Sequence, residues 1–341
     1  MKKIILFICL IGMTVFLTGC YTSDTSSNKK GQKVESELLY GKYPEPLVKG
    51  IAMNPDVNKN YKEVTMDDLK KVRNFHFVRQ LDENYPDKEY GFKDNEEYDF
   101  SIILEMPNLT DLEIDLGPNI RLKDYSILKR IKGLQTLIIG NIGDSDIDNI
   151  IGLDSLNWLI ISNSSITNIE FLKSLSQLTL FGLDKTPNVR NFKPLEYLTK
   201  VDQVNLTNSN FTENEIGTIP DIETLTCLSL YNNNIKKIEQ LPQMENLEVL
   251  EISRNPLTGI NIPATKLPDL KYLGLDDTDI SDLKELKGVE NIDTICLRRT
   301  KVKLLSPIRD YKNLKYIYVN VDNIKDKDIF KGANIDISEI E

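Results

Sequence analysis

The sequence predicts an α/β solenoid, with a concave parallel β-sheet backed by short 3₁₀ or irregular convex segments. Three observations carry that expectation. An apolar-x-x-apolar-x-apolar phrase returns about every 22 residues. It runs from Leu109/Leu112/Ile114 through Leu134/Leu137/Ile139, Leu156/Leu159/Ile161 and Leu228/Leu230 to Leu314/Ile317/Val319, ten copies in phase. The end of each phrase alternates as a strand does, with two side chains inward and the one between them outward. A second apolar set follows at three-residue spacing, such as Ile235, Ile238 and Leu241, which suits a tight 3₁₀ return better than a long helix. One unit cannot bury its own apolar face, so stability has to come from stacking.

Three positions beyond each strand stands a small hydrogen-bonding residue: Ser164, Thr186, Ser209, Asn233, Asn255, Thr278, Thr300 and Asp322. Such side chains can satisfy backbone groups where the chain turns off the strand. The column is broken near Gly117 and Ile142, so the first turns are expected to be irregular. With this repeat in view, the chain resembles leucine-rich-repeat proteins of the short 22-residue class, as in bacterial internalin-type surface proteins. The resemblance spans residues 106–333. It implies a binding scaffold and leaves the ligand open, because such folds serve many partners.

The elements follow in order. Residues 1–19 read as a secretory leader, with Lys2 and Lys3 before the apolar run Ile4–Leu17. The sequence Leu17-Thr18-Gly19-Cys20 resembles a bacterial lipobox. By that resemblance Cys20 carries a diacylglyceryl group and, with it, a membrane anchor on the extracytoplasmic face. Two acyl chains are what firm attachment needs. Residues 20–37, rich in Ser, Thr, Asn and Lys, read as a disordered tether. Residues 38–105 form an N-terminal cap region. Within it Thr65 and Asp68 open a helix running to about Val72, Val64 and Leu69 can staple it, and Phe75-His76-Phe77-Val78 reads as a strand. Residues 82–99 read as a solvated acidic loop. Residues 334–341 supply a last edge strand whose carboxylates discourage further pairing.

Composition narrows the function. The formal charge is −10, and −12 once Lys2 and Lys3 leave with the leader. An acidic surface disfavours nucleic acid. The chain has one histidine, His76, and no CxxC, HExxH or phosphate loop, so neither an enzyme, a metal site nor a cofactor is expected. Cys227 and Cys296 occupy outward strand positions three repeats apart, too far to bridge, and are expected as free thiols.

Strand alternation also names the side chains on the concave face. Ile138, Trp158, Ile160 and Leu180 fall on adjacent strands and form an apolar patch holding the only tryptophan. Tyr272, Tyr316 and Tyr318 gather near Arg298 and Arg299. Both groups have the residue types of binding hot spots, and both are equally the types that stabilise a sheet by stacking. The expected function is a lipid-anchored protein engaging a protein or glycan through this face. A structural role within the cell's own envelope is the alternative.

Overall fold

The computed structural model describes residues 36–78, 91–261 and 263–338. The chain divides into two units, 1–37 and 38–341. The leader, Cys20 and the tether as far as residue 35 lie outside the described residues, as do 79–90 of the expected cap.

The second unit begins with helix α1 (Glu45–Met53), which sequence reasoning missed. Pro44 and Pro46 open it, and Leu47, Val48, Ile51 and Ala52 form its buried face. The Asn54 side chain at its C-terminus donates to the Asn74 carbonyl at 2.6 Å and ties the helix to the first strand. Helix α2 (Met66–Leu69) is one turn, shorter than expected. The Thr65 amide and hydroxyl both donate to Asp68 Oδ2, at 3.0 and 2.9 Å. Burial opposes ionisation of Asp68, but the ammoniums of Lys59 and Lys71 at 2.8 and 2.7 Å outweigh it and hold the carboxyl well below its usual range.

Strand β1 (Asn74–Val78) is followed by the short β2 (Glu97–Tyr98), the repeat strand β3 (Asp111–Asp115) and β4 (Arg121–Leu122), which pairs with β2. Then come β5 (Thr136–Gly140), β6 (Trp158–Ser162), β7 (Leu180–Asp184) and β8 (Gln203–Thr207). The C-terminal repeats alternate β9 (Cys227–Ser229), β11 (Val249–Glu251), β13 (Tyr272–Gly274) and β15 (Thr294–Cys296) with convex-side strands. Those are β10 (Lys237–Ile238), β12 (Gly259–Asn261) and β14 (Leu286–Lys287), which make a three-stranded sheet of their own. Finally β16 (Tyr316–Tyr318) and β17 (Asp336–Ser338) extend the main sheet to twelve strands, every pair parallel.

Register is the main result for function. Leu112, Leu137, Leu159, Phe181, Val204, Leu228, Leu250, Leu273, Ile295 and Ile317 align as partners and are fully buried. A parallel ladder in which the same phase faces the core in each strand leaves no freedom to slip by one residue. The convex returns are 3₁₀ turns at Ser101–Glu105, Tyr125–Arg130, Asp144–Asn149, Glu170–Ser174 and Lys193–Tyr197. A single α turn, α3 (Glu213–Ile216), follows, and in the C-terminal repeats the convex strands are interspersed with further 3₁₀ turns at Ala264–Lys266, Leu283–Glu285, Ser306–Ile308, Val321–Asn323 and Lys327–Phe330.

Of the expected acidic loop at 82–99, residues 91–99 are described: Gly91, Lys93, Asp94, Asn95, Glu96, Glu97 and Asp99 are exposed, whereas Phe92 and Tyr98 are buried and meet edge-on at 4.7 Å. Phe77 sits edge-on to Phe75, Phe92 and Phe100, closing the first repeat with an aromatic cluster. Among the described residues, no helix is long and apolar enough to cross a membrane.

Candidate functional site

The outward face is built by the residues between the buried ones. The first outward column runs Asp111, Thr136, Trp158, Leu180, Gln203, Cys227, Val249, Tyr272, Thr294 and Tyr316, as strand alternation predicted. The second runs His76, Glu113, Ile138, Ile160, Gly182 and Asn205, on to Cys296 and Tyr318. Ile138 pairs with Ile160, and Trp158 with Leu180, so the four apolar residues are brought together. Ile138, Trp158 and Ile160 are half-buried, and Leu180 is 8% exposed. Gly182 lies beside Ile160, where a Cβ would come within 3.1 Å of Ile160 Cγ1. The isoleucine fills the space the glycine leaves.

The tyrosine group separates. Tyr316 and Tyr318 stack at 6.5 Å with their rings 6° from parallel, and both stay half-exposed. Tyr272 does not join them on the surface, which corrects its expected place in an exposed cluster. It is 2% exposed, its hydroxyl lies 3.3 Å from Glu251 Oε2, and it accepts from Cys296 Sγ at 3.3 Å. The cause is Gly274, the outward neighbour of Glu251: a Cβ there would fall 2.1 Å from Glu251 Oε2. The glutamate side chain lies across the glycine and meets the tyrosine. Arg298 is also committed, donating through Nε to Asp276 Oδ2 at 2.8 Å. Neither Cys227 nor Cys296 is in a disulfide, and both are buried; burial pushes the Cys227 thiol up to about 12, so it stays protonated.

One column escaped the sequence reading. One to three residues after eight of the repeat strands the chain enters left-handed backbone, at Asn141, Asn163, Lys185, Asn208, Asn232, Arg254, Asp277 and Arg299, with φ between 45° and 56°. Each such amide up to Asp277 donates to a carbonyl of the next repeat, at 2.8–3.2 Å. Asparagine tolerates this conformation best, and the recurrent Asn was the available signal. Arg254 and Arg299 hold it at a cost of roughly 1–3 kcal/mol each. Between them Asp277 takes two bonds from Arg299, at 2.6 and 2.7 Å, and lies 3.6 Å from Arg254. The paired Arg299 guanidinium is the chief reason the Asp277 carboxyl lies below its usual range. These residues line an open recess of about 480 Å³ with Asn255, Pro256, Thr278, Asp279 and Lys301. Lys301 is itself paired with Asp279 at 2.6 Å. The recess is therefore largely self-neutralised.

The acidic end contrasts with it. On β3, Asp111, Glu113 and Asp115 all face outward. Their described side-chain partners are the Thr110 hydroxyl for Asp111, His76 Nδ1 at 2.8 Å for Glu113, and the Asn163 amide at 2.8 and 3.0 Å for Asp115. Asp115 reaches Asn163 across Gly140, where a Cβ would come within 2.8 Å of its oxygen. Among the described residues no three or more His, Cys, Asp or Glu side chains are placed to hold a metal ion.

No family model matches the chain. It is 31% identical over 99 residues to acidic leucine-rich nuclear phosphoprotein 32 family member A of Drosophila pseudoobscura pseudoobscura, covering 29% of this chain and 37% of that one. The Drosophila melanogaster protein matches to the same extent. The chain thus spans just over a third of the length of these curated relatives. Among solved structures it is similar to an internalin from Listeria monocytogenes, with a TM-score of 0.50, 18% identity, and coverage of 90% of this chain and 98% of that one. It is similar also to a chain of the TLR13–ssRNA13 complex, with a TM-score of 0.51, 18% identity, and coverage of 69% and 36%. Register, 3₁₀ returns and these likenesses agree: the fold is a leucine-rich-repeat solenoid.

Proposed function

We propose that the protein is a lipid-anchored, extracytoplasmic binding protein whose outward sheet face engages a protein or glycan partner around Trp158. The observation that carries this reading is the cluster of Ile138, Trp158 and Ile160. These large apolar side chains remain partly exposed on adjacent strands of the outward face. A partly exposed tryptophan set among isoleucines on the sheet face has the make-up of an interface anchor. The anchoring half of the proposal rests on Leu17-Thr18-Gly19-Cys20 and the apolar run before it. The alternative, a structural role in the cell's own envelope, differs in who the partner is rather than in which face is used.

The test has two arms. In cells, the intact chain is expected in the detergent phase of a phase-partition assay, and Cys20→Ala in the aqueous phase or retained as uncleaved precursor. In vitro, residues 21–341 serve as bait for host extracellular material and, separately, for bacterial envelope extract. A partner held by wild type and lost by the Trp158→Asp, Ile160→Asp double variant supports the face; equal capture by both moves the site elsewhere. Circular dichroism of the double variant guards against simple unfolding.

A further inference from the structure

The charge layout of the face narrows the partner. At the outward-facing positions of β3, β5, β6, β7 and β8 there are four carboxylates, Asp111, Glu113, Asp115 and Asp184, and no lysine or arginine. These strands flank and contain the apolar cluster. Glu113 meets His76, while among the described residues Asp111, Asp115 and Asp184 take side-chain hydrogen bonds from hydroxyl and amide groups, which orient the charge without cancelling it: Asp184 accepts from the Thr207 hydroxyl at 3.0 Å and from the Asn208 amide. The nearest cation, Lys185 Nζ, is 4.0 Å from Asp184 and mostly exposed. At the other end the pattern reverses: the face's arginine, Arg298, is bound to Asp276, and Arg299 beside it is bound to Asp277. Charges there are matched within the chain by arginine, while among the described residues the carboxylates of the N-terminal strands have no arginine bound to them and meet only His76 and the distant Lys185.

We infer that the partner is a protein segment presenting apolar side chains flanked by cationic ones, with the apolar groups on Trp158 and Ile160 and lysines or arginines against Asp111, Glu113 and Asp184. This rests on the binding reading above and selects a basic polypeptide over a neutral or anionic glycan. An acidic rim around an apolar centre both attracts such a segment and rejects acidic ones, the usual division between steering and anchoring. At about 4.8 Å per strand, the span from β3 to β7 is roughly 14 Å, four or five extended residues. A short stretch of chain therefore reaches from the carboxylates on β3 to Asp184.

Trp158, the only tryptophan, makes the site self-reporting. Residues 21–341 are titrated with tryptophan-free peptides alternating leucine with lysine, with serine or with glutamate, following Trp158 emission and, in parallel, heat of binding. The lysine peptide is expected to bind, to shift the emission, and to weaken with added salt. Asp111→Asn, Glu113→Gln should lower its affinity roughly tenfold, while Asp322→Asn, Asp328→Asn, equal in charge but on the last repeat, should leave it unchanged. Equal binding of the serine or glutamate peptide, or equal loss from both neutralised pairs, overturns the charge assignment but spares the apolar site. Full lysine-peptide binding by Trp158→Asp, Ile160→Asp, read by heat alone, overturns the site itself.

Discussion

Asn233→Ala is expected to lower the unfolding free energy by about 3–5 kcal/mol, through hydrogen bonds to the backbone. Its Oδ1 accepts from the amides of Ser209 and Phe211, at 3.0 and 3.2 Å. Its Nδ2 donates to the carbonyls of Leu206 and Leu230, at 2.7 and 3.0 Å. Ser209 and Phe211 are fully buried, so alanine strands their amides with no water to replace the carbonyl. An orphaned buried group costs about 1–3 kcal/mol, and here at least two are orphaned in adjacent repeats. Asn233→Ser should recover part of the loss, because Ser209 fills the same role one repeat earlier, accepting from Thr186 N at 2.9 Å. Asn233→Asp should recover less, keeping the acceptor and losing both donations. Urea denaturation of the series, with hydrogen exchange at Ser209 and Phe211, measures the effect. A loss below about 1 kcal/mol for alanine would mean that a water takes the amide's place and the ladder is not what joins the repeats.

That ladder was legible from the sequence because it is chemistry repeated in phase: a small polar residue at one offset, again and again, where a strand ends. Ser164, Thr186, Ser209, Asn233, Asn255, Thr278 and Thr300 all bond backbone there, and only Asp322 leaves the column, lying exposed in a 3₁₀ turn. The outward register was legible for the same reason, since a period of two fixes the facing side of every strand residue. What could not be read was depth. Tyr272 and Tyr316 sit at equivalent alternating positions, yet one is buried and the other is not. The difference lies in Glu251 reaching over Gly274, a contact between repeats with no periodic signature. Helix α1 was missed for the opposite reason: its Leu47, Val48 and Ile51 spacing was present but occurs once, between prolines, with no second copy to raise it above chance.

The largest effect expected in the cap comes from adding one methyl group. By helix propensity Gly50→Ala should stabilise α1 by up to about 1 kcal/mol. The packing predicts the reverse, because a Cβ at Gly50 would fall 2.2 Å from both Cε1 and Cζ of Phe77. The ring has nowhere to go. Phe77 is fully buried and held edge-on by Phe75, Phe92 and Phe100, at 4.6, 5.6 and 5.4 Å. The helix must lift instead, pulling on the Asn54 bond to β1 and exposing Leu47 and Ile51. Overpacking of this kind costs roughly 1–3 kcal/mol beyond the propensity gain. Because β1 covers the open edge of β3, loosening α1 should uncover the first repeat while leaving the distant ones folded, as nearest-neighbour stability in a solenoid requires. Hydrogen exchange should therefore rise in 45–78 and 111–115 and stay unchanged beyond β8. Phe77→Leu, which trades the ring for a smaller side chain, should suppress the damage in the double variant, giving a coupling that independent sites lack. A Gly50→Ala protein as stable as wild type would mean that glycine is there for the helix's history and not for its fit against the strand.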